Sequence, residues 1–155
     1  MASKKRSKKV SSKMKLGCRE AAMIILWFKE NMGLEDWTVE LDLSDIPPAW
    51  VLGDEGHLGE SWPDCETKRA LIWVCPSRIL AKKQDPRDTL LHELSHVMFS
   101  DIGIESGGRS CEGNDNVHFV VFRLGAVLLK AYLNDRKRGW KPHQGEEVEL
   151  DATGK

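Results

Sequence analysis

The segment Thr89-Leu90-Leu91-His92-Glu93-Leu94-Ser95-His96-Val97-Met98 holds two histidines four positions apart, with a glutamate directly after the first. In an α-helix, positions four apart lie one above the other on the same face. Two imidazoles so placed can reach one metal ion at a spacing that suits tetrahedral zinc. Glu93 stands one step round from His92, where it can approach a metal-bound water without being required as a ligand. Zinc lowers the pKa of its bound water to about 7, so a neighbouring carboxylate can take that proton at neutral pH and pass it to a leaving amine. The metal also polarises a carbonyl and stabilises the oxyanion that develops. On this reading His92 and His96 bind one Zn2+ per chain and Glu93 is the general base. The plain alternative is an amphipathic helix on which these residues fell by chance. The flanks speak against chance: from Thr89 to Phe99 nothing but Glu93 and the two histidines is ionisable, and Leu90, Leu91, Leu94, Val97 and Met98 supply the packing of a buried helix.

That helix needs a start, a stop and a scaffold. Asp85 can cap it, Pro86 can open it, and it should run through His96 to about Ser100, with Gly103 past its end. Upstream, Leu16, Ala21, Met23, Ile24, Leu26, Trp27 and Phe28 recur with helical spacing from about Met14 to Met32, and Gly33 offers a stop. Trp37, Val39, Leu41 and Leu43 alternate with polar residues as in a half-buried strand that Pro47 and Pro48 end. Trp50 to Leu52 suggests a second short strand before a turn-rich stretch containing Gly53, Gly56, Gly59, Pro63 and Asp64. The apolar run Ala70 to Val74, closed by Pro76, predicts a third. Downstream, Asp115 or Asn116 can cap a long helix from Val117 to about Asn134, with Phe119, Phe122, Leu124, Val127, Leu128, Ala131 and Tyr132 as its buried face. The expected fold class is α+β: an N-terminal helix, a small mixed sheet of about three strands, the HExxH helix and a long C-terminal helix, without internal repeats.

The 155 residues, 41% of them hydrophobic, suffice for one domain with its own core. The formal net charge is −1, yet Lys4, Lys5, Arg6, Lys8, Lys9, Lys13 and Lys15 crowd the start of the chain. Residues 1–13 therefore read as a disordered basic arm, 14–138 as the metal-binding domain and 139–155 as a flexible polar tail with little to pack. The arm reads either as a weak nucleic-acid contact or as a solubilising or targeting tail. Without an interleaved aromatic residue for base stacking, the tail is favoured. Cys18, Cys65, Cys75 and Cys111 include no close CxxC pair, as expected of reduced thiols in a cytoplasm. The most apolar stretch, Ala21 to Phe28, is too short to cross a bilayer, and the basic start lacks the apolar run and cleavage site of a signal peptide. A cytoplasmic protein without membrane contact is expected.

Thr89 to Met98 resembles the extended active-site signature of the zincin metallopeptidases, with uncharged residues around HExxH and a hydrophobic residue at its end. The layout is also similar to zincin cores, in which a helix and a small sheet precede the HExxH helix and a further helix supplies a third ligand. The chain looks most like the compact single-domain zincins of prokaryotes and phages, including SprT-like proteins. The resemblance implies a peptide or protein substrate and makes Ala70 to Val74 the edge strand that would hold an extended substrate by main-chain hydrogen bonds. The metzincin pattern HExxHxxGxxH is absent, since Phe99 and Ile102 stand where Gly and His would have to be.

A catalytic zinc takes three protein ligands and keeps a fourth position for water. Downstream candidates are Glu112, Asp115, His118 and His143. His118 leads, because it falls in the first turn of the last long helix, where a neutral imidazole can point back at the metal. SprT-like proteins follow their third histidine with an aromatic four residues on, and Phe122 reproduces it, although Phe119 replaces the usual glycine. Compact zincins of another kind use a carboxylate there, which keeps Glu112 and Asp115 open. His57 is a candidate cleft residue, Trp50 and Trp62 are candidate cleft walls, and Tyr132 is more fitting as packing than as an oxyanion donor.

Three functions remain in view: a zinc metallopeptidase, a non-catalytic metal-binding regulatory or interaction domain, and a SprT-like protease recruited to nucleic acid by the basic arm. Glu93 favours catalysis, because a purely structural zinc site has no need of a carboxylate between its ligands.

Overall fold

Gly17, in an extended conformation, leads into α1 (Cys18–Met32), and Gly33 ends it with a φ of 72°, a left-handed turn that a side chain would oppose. Residues 16–53, 56–104, 115–143 and 150–151 of the chain are described here from a computed structural model. Leu34 and Trp37 turn the chain into β1 (Thr38–Leu43), whose Val39 and Leu41 point into the core. β2 (Gly59–Asp64) and β3 (Arg69–Val74) form an antiparallel hairpin, and β1 lies parallel to β3 on its other side. Two short helical turns of sequence, α2 (Pro76–Ala81), lead to α3 (Pro86–Asp101), and α4 (Asp115–Lys137) follows. Leu150 and Asp151 add β4, parallel to β1, giving the sheet order β2-β3-β1-β4. The fold is α+β, with three full strands and a two-residue fourth.

The core lies between the helices and one face of the sheet. Ile24, Ile25 and Phe28 of α1, Leu41 of β1, Ile72 and Val74 of β3, and Leu90, Leu91, Leu94 and Val97 of α3 are all buried in it. β3 is covered on both faces, because Trp73 packs on the other side with Val51 and Cys75 and donates its indole N–H to the Ser44 carbonyl at 3.0 Å. No helix among the described residues is long and apolar enough to cross a membrane.

Several sequence expectations give way. Trp50 to Leu52 is not a strand: Trp50 and Val51 pack on Trp73, and the second strand forms inside the glycine-rich stretch. Pro63 fits there because β2 is an outer strand, where a missing N–H leaves no ladder bond unmade. Asp64 then shapes the hairpin turn, accepting from the Glu66 amide at 3.0 Å and the Thr67 hydroxyl at 2.7 Å. Pro76 does more than end β3: its fixed φ suits the first position of a helix, and α2 begins on it.

The expected buried face of α4 holds in part, with Leu128 and Tyr132 buried and Leu124 and Ala131 packed against the core. Val121, Leu128 and Tyr132 are buried, whereas Phe119, Phe122 and Val127 are 60%, 63% and 61% exposed. Helical periodicity allowed either stripe; in the structure Gly125 lies against Asp88 and His92 of α3, and Val121, Leu128 and Tyr132 are buried. The chain after Gly139 packs more than its composition suggests. The Trp140 indole donates to Glu30 at 2.9 Å and meets the Tyr132 ring edge-on, His143 bonds the same carboxylate, and Leu150–Asp151 pairs with β1. The basic arm at 1–13 and Glu112 lie outside the described residues.

Candidate metal centre

α3 is set by its first residues. The Asp85 side chain accepts from the Arg87 amide at 3.0 Å and from the Arg87 guanidinium at 2.7 Å, satisfying one of the free N–H groups of the helix start, and Pro86 occupies the first turn without wasting a donor. Leu90, Leu91, Leu94 and Val97, all fully buried, fix the rotation of the helix against the sheet. His92, Glu93 and His96 are thereby turned together toward one cleft of about 710 Å³.

The Nε2 atoms of His92 and His96 stand 3.2 Å apart. Two nitrogens bound to one tetrahedral zinc at about 2.05 Å would stand about 3.3 Å apart, so the pair is already at ligand spacing. His118, from the start of α4, brings its ring centroid to 5.2 Å from that of His92 and 5.8 Å from that of His96. One ligand nitrogen from each of the three lies within 4.8 Å of the other two. The donor set fits a zinc ion: three imidazoles converge from two helices beside the cleft.

The electrostatics agree with that use. Burial, then the neighbouring His96 and His118 imidazoles, push the His92 pKa down to about 3. Burial, then His118, pushes His96 down to about 4. Both rings are neutral at pH 7 and offer lone pairs rather than protons. Glu93 is only 5% exposed and lies beside the first residue of β2, Gly59.

The site residues expected from sequence divide as follows. His92, Glu93, His96, His118 and His57 all line the same cleft. His143 is bound to Glu30 and is not part of the histidine group. Tyr132 donates to Glu20 at 3.0 Å and packs on Trp27, so its hydroxyl is committed to the α1–α4 contact rather than to an oxyanion. Trp50 and Trp62 are not cleft walls. Trp50 packs on the Trp73 cluster, and Trp62 sits opposite Leu71 in the hairpin. Their places are taken by Leu52, Leu58 and Phe122, of which Phe122 was expected in the buried face of α4 and not on the cleft.

Ala70 to Val74 is not an edge strand. β3 is flanked by β2 and β1, and the outer strand beside α3 is β2. Two further residues escaped the sequence reading. Asp88 stands one turn before His92 in the cleft, its Oδ1 buried without a hydrogen-bond partner, and burial followed by the Asp85 charge raises its pKa. Gly125 allows the close crossing of α4, since a Cβ there would lie 2.9 Å from that oxygen. The i, i+4 spacing of Asp88 and His92 was visible in the sequence; the crossing that buries Asp88 was not.

No family model, curated protein or solved structure matches the chain.

Proposed function

We propose that this chain is a zinc-dependent metallopeptidase with a zincin-like fold. The observation that carries the reading is the convergence of His92, His96 and His118 on one point, with the buried Glu93 carboxylate on the same cleft. His92, His96 and His118 would hold the ion, which when bound supplies an acidified water and a Lewis acid for the scissile carbonyl. Glu93 would be the general base, holding a proton on a carboxylate oxygen and delivering it to the leaving amine. Leu52, Leu58 and Phe122 give the cleft an apolar side that excludes water and seats a substrate side chain. An extended peptide finds its main-chain partners on β2, the outer strand next to α3, in place of the buried Ile72 region. The order of elements, a helix and small sheet before α3 and a ligand-bearing helix after it, supports the zincin comparison.

A non-catalytic metal site does not require a carboxylate between its ligands, whereas a metal-activated water does require a base. The decisive experiment measures zinc by elemental mass spectrometry and casein hydrolysis on the wild type and on Glu93→Gln. About one zinc per chain in both, with activity in the variant lower by roughly 10²–10⁴-fold, is expected. Equal activity in the two proteins removes Glu93 as base, and absence of zinc from the wild type removes the site.

A further inference from the structure

Gly59 opens β2 with its Cα against the flank of α3. A Cβ built on it would lie 3.0 Å from the Trp73 carbonyl oxygen, 3.1 Å from Glu93 Oε1 and 3.2 Å from Glu93 Cγ. These separations are tighter than ordinary carbon contacts, so a side chain here requires something to move.

The main chain around Gly59 is held. The Leu58 carbonyl accepts from the Cys75 amide at 2.8 Å, and Gly59 and Glu60 stand opposite Val74 and Trp73 in the β2–β3 ladder. The Trp73 oxygen is held as well, because it belongs to a strand paired on both edges whose own side chain is fully buried. Of these two neighbours, the Glu93 side chain, which lines the cleft, is the one with rotatable bonds through which it can give.

We infer that Gly59 is a positioning residue: the missing side chain at this point of β2 sets where the Glu93 carboxylate rests relative to the three histidines. The inference builds on the reading of Glu93 as general base. Its reach is short but chemically costly, since misplacing a reacting group by about 1 Å can lower a rate by about 10²-fold. The constraint is one of space, because Gly59 does not adopt the left-handed backbone that would itself exclude alanine. A purely structural glycine would behave differently: its replacement would change stability while leaving turnover alone.

The test is Gly59→Ala, with Glu93→Gln as reference, on zinc-loaded protein. Three quantities are read: zinc affinity by chelator competition, kcat and KM on labelled casein, and the Glu93 position in crystal structures of variant and wild type. The expected result is unchanged zinc affinity, KM within about twofold, kcat lower by roughly tenfold, and a carboxylate displaced by a few tenths of an ångström. A folded variant with wild-type kcat overturns the inference. Wild-type protein that binds zinc but cuts nothing would sink the peptidase reading separately. The crystal structures then decide the matter, and an unmoved Glu93 in Gly59→Ala rejects the positioning role. Should Gly59→Ala fail to fold, the double variant with Glu93→Asp withdraws the opposing side chain. Recovery of the fold assigns the contact, and failure to recover overturns it.

Discussion

α3 delivers His92, Glu93 and His96 from a helix whose Leu90, Leu91, Leu94 and Val97 are wholly buried, whereas α4 delivers His118 from a stretch whose Phe119, Val120 and Phe122 stand more than half exposed. His96 is 2% exposed; His118 faces solvent. The first two histidines are held in register by one hydrogen-bonded ladder and by core packing, so their Nε2 atoms wait at ligand spacing. The third arrives from a separate element, positioned by the close approach of α4 to α3 at Gly125 and by buried Val121, Leu128 and Tyr132. In the zinc site proposed above, a preorganised pair would be distinct from a closing ligand, and the two halves should respond differently to damage.

The largest expected effect follows from removing the preorganised pair. His92→Ala or His96→Ala should reduce bound zinc from about one per chain to essentially none after dialysis. His118→Ala should leave a two-histidine site with affinity weakened by more than the roughly 10–100-fold typical of losing an outer-shell partner. Zinc titration against a competing chelator reads both, and wild-type affinity in His118→Ala would hand the third position to Glu112 or Asp115.

The same contrast should appear in stability without any metal. Leu91→Ala opens a cavity behind the ligand helix and is expected to cost about 2–5 kcal/mol in urea unfolding. Phe122→Ala removes an exposed ring and should stay within about 0.5 kcal/mol. Similar losses for the two would show that α4 is as tightly built as α3.

Acid should sharpen the difference between the imidazoles. His92 and His96 have folded pKa values below the ordinary 6.5, so their protons prefer the unfolded chain. Their contribution is fully present above about pH 6.5 and is lost as pH falls toward 4 and 3, by up to about 1.4 kcal/mol per pH unit for each ring. Metal-free protein should therefore unfold more easily at pH 5 than at pH 7, and His92→Gln should flatten that slope. An unchanged slope would mean the burial is relieved in solution. The smallest effect lies at the start of α3, where Asp85→Ala removes a cap worth about 1 kcal/mol, measurable as a modest drop in thermal midpoint with zinc still bound.

How far the site was legible depended on how local its parts are. His92, Glu93 and His96 were readable because their geometry is carried by one helix whose cap, Asp85 and Pro86, lies in the adjoining sequence. β1, β3 and α1 were readable for the same reason, since alternation and helical spacing report burial directly. β2 was not, because an outer hairpin strand rich in glycine and proline carries no such period. In α4, Leu128 and Tyr132 were readable but the exposure of Phe119, Phe122 and Val127 was not, because that helix is apolar on several sides and periodicity cannot choose among them.

By itself the sequence determined the chemistry on offer: two imidazoles and a carboxylate at helical spacing, in a helix apolar enough to be buried. Local hydrogen bonding and side-chain period are sufficient for that much. Only the tertiary structure decided that His118 rather than His143 joins them, that β2 rather than β3 is the strand beside the cleft, and that Glu93 rests against a glycine. Those are contacts between elements far apart in the chain, set by crossing angles and close packing that no single segment encodes.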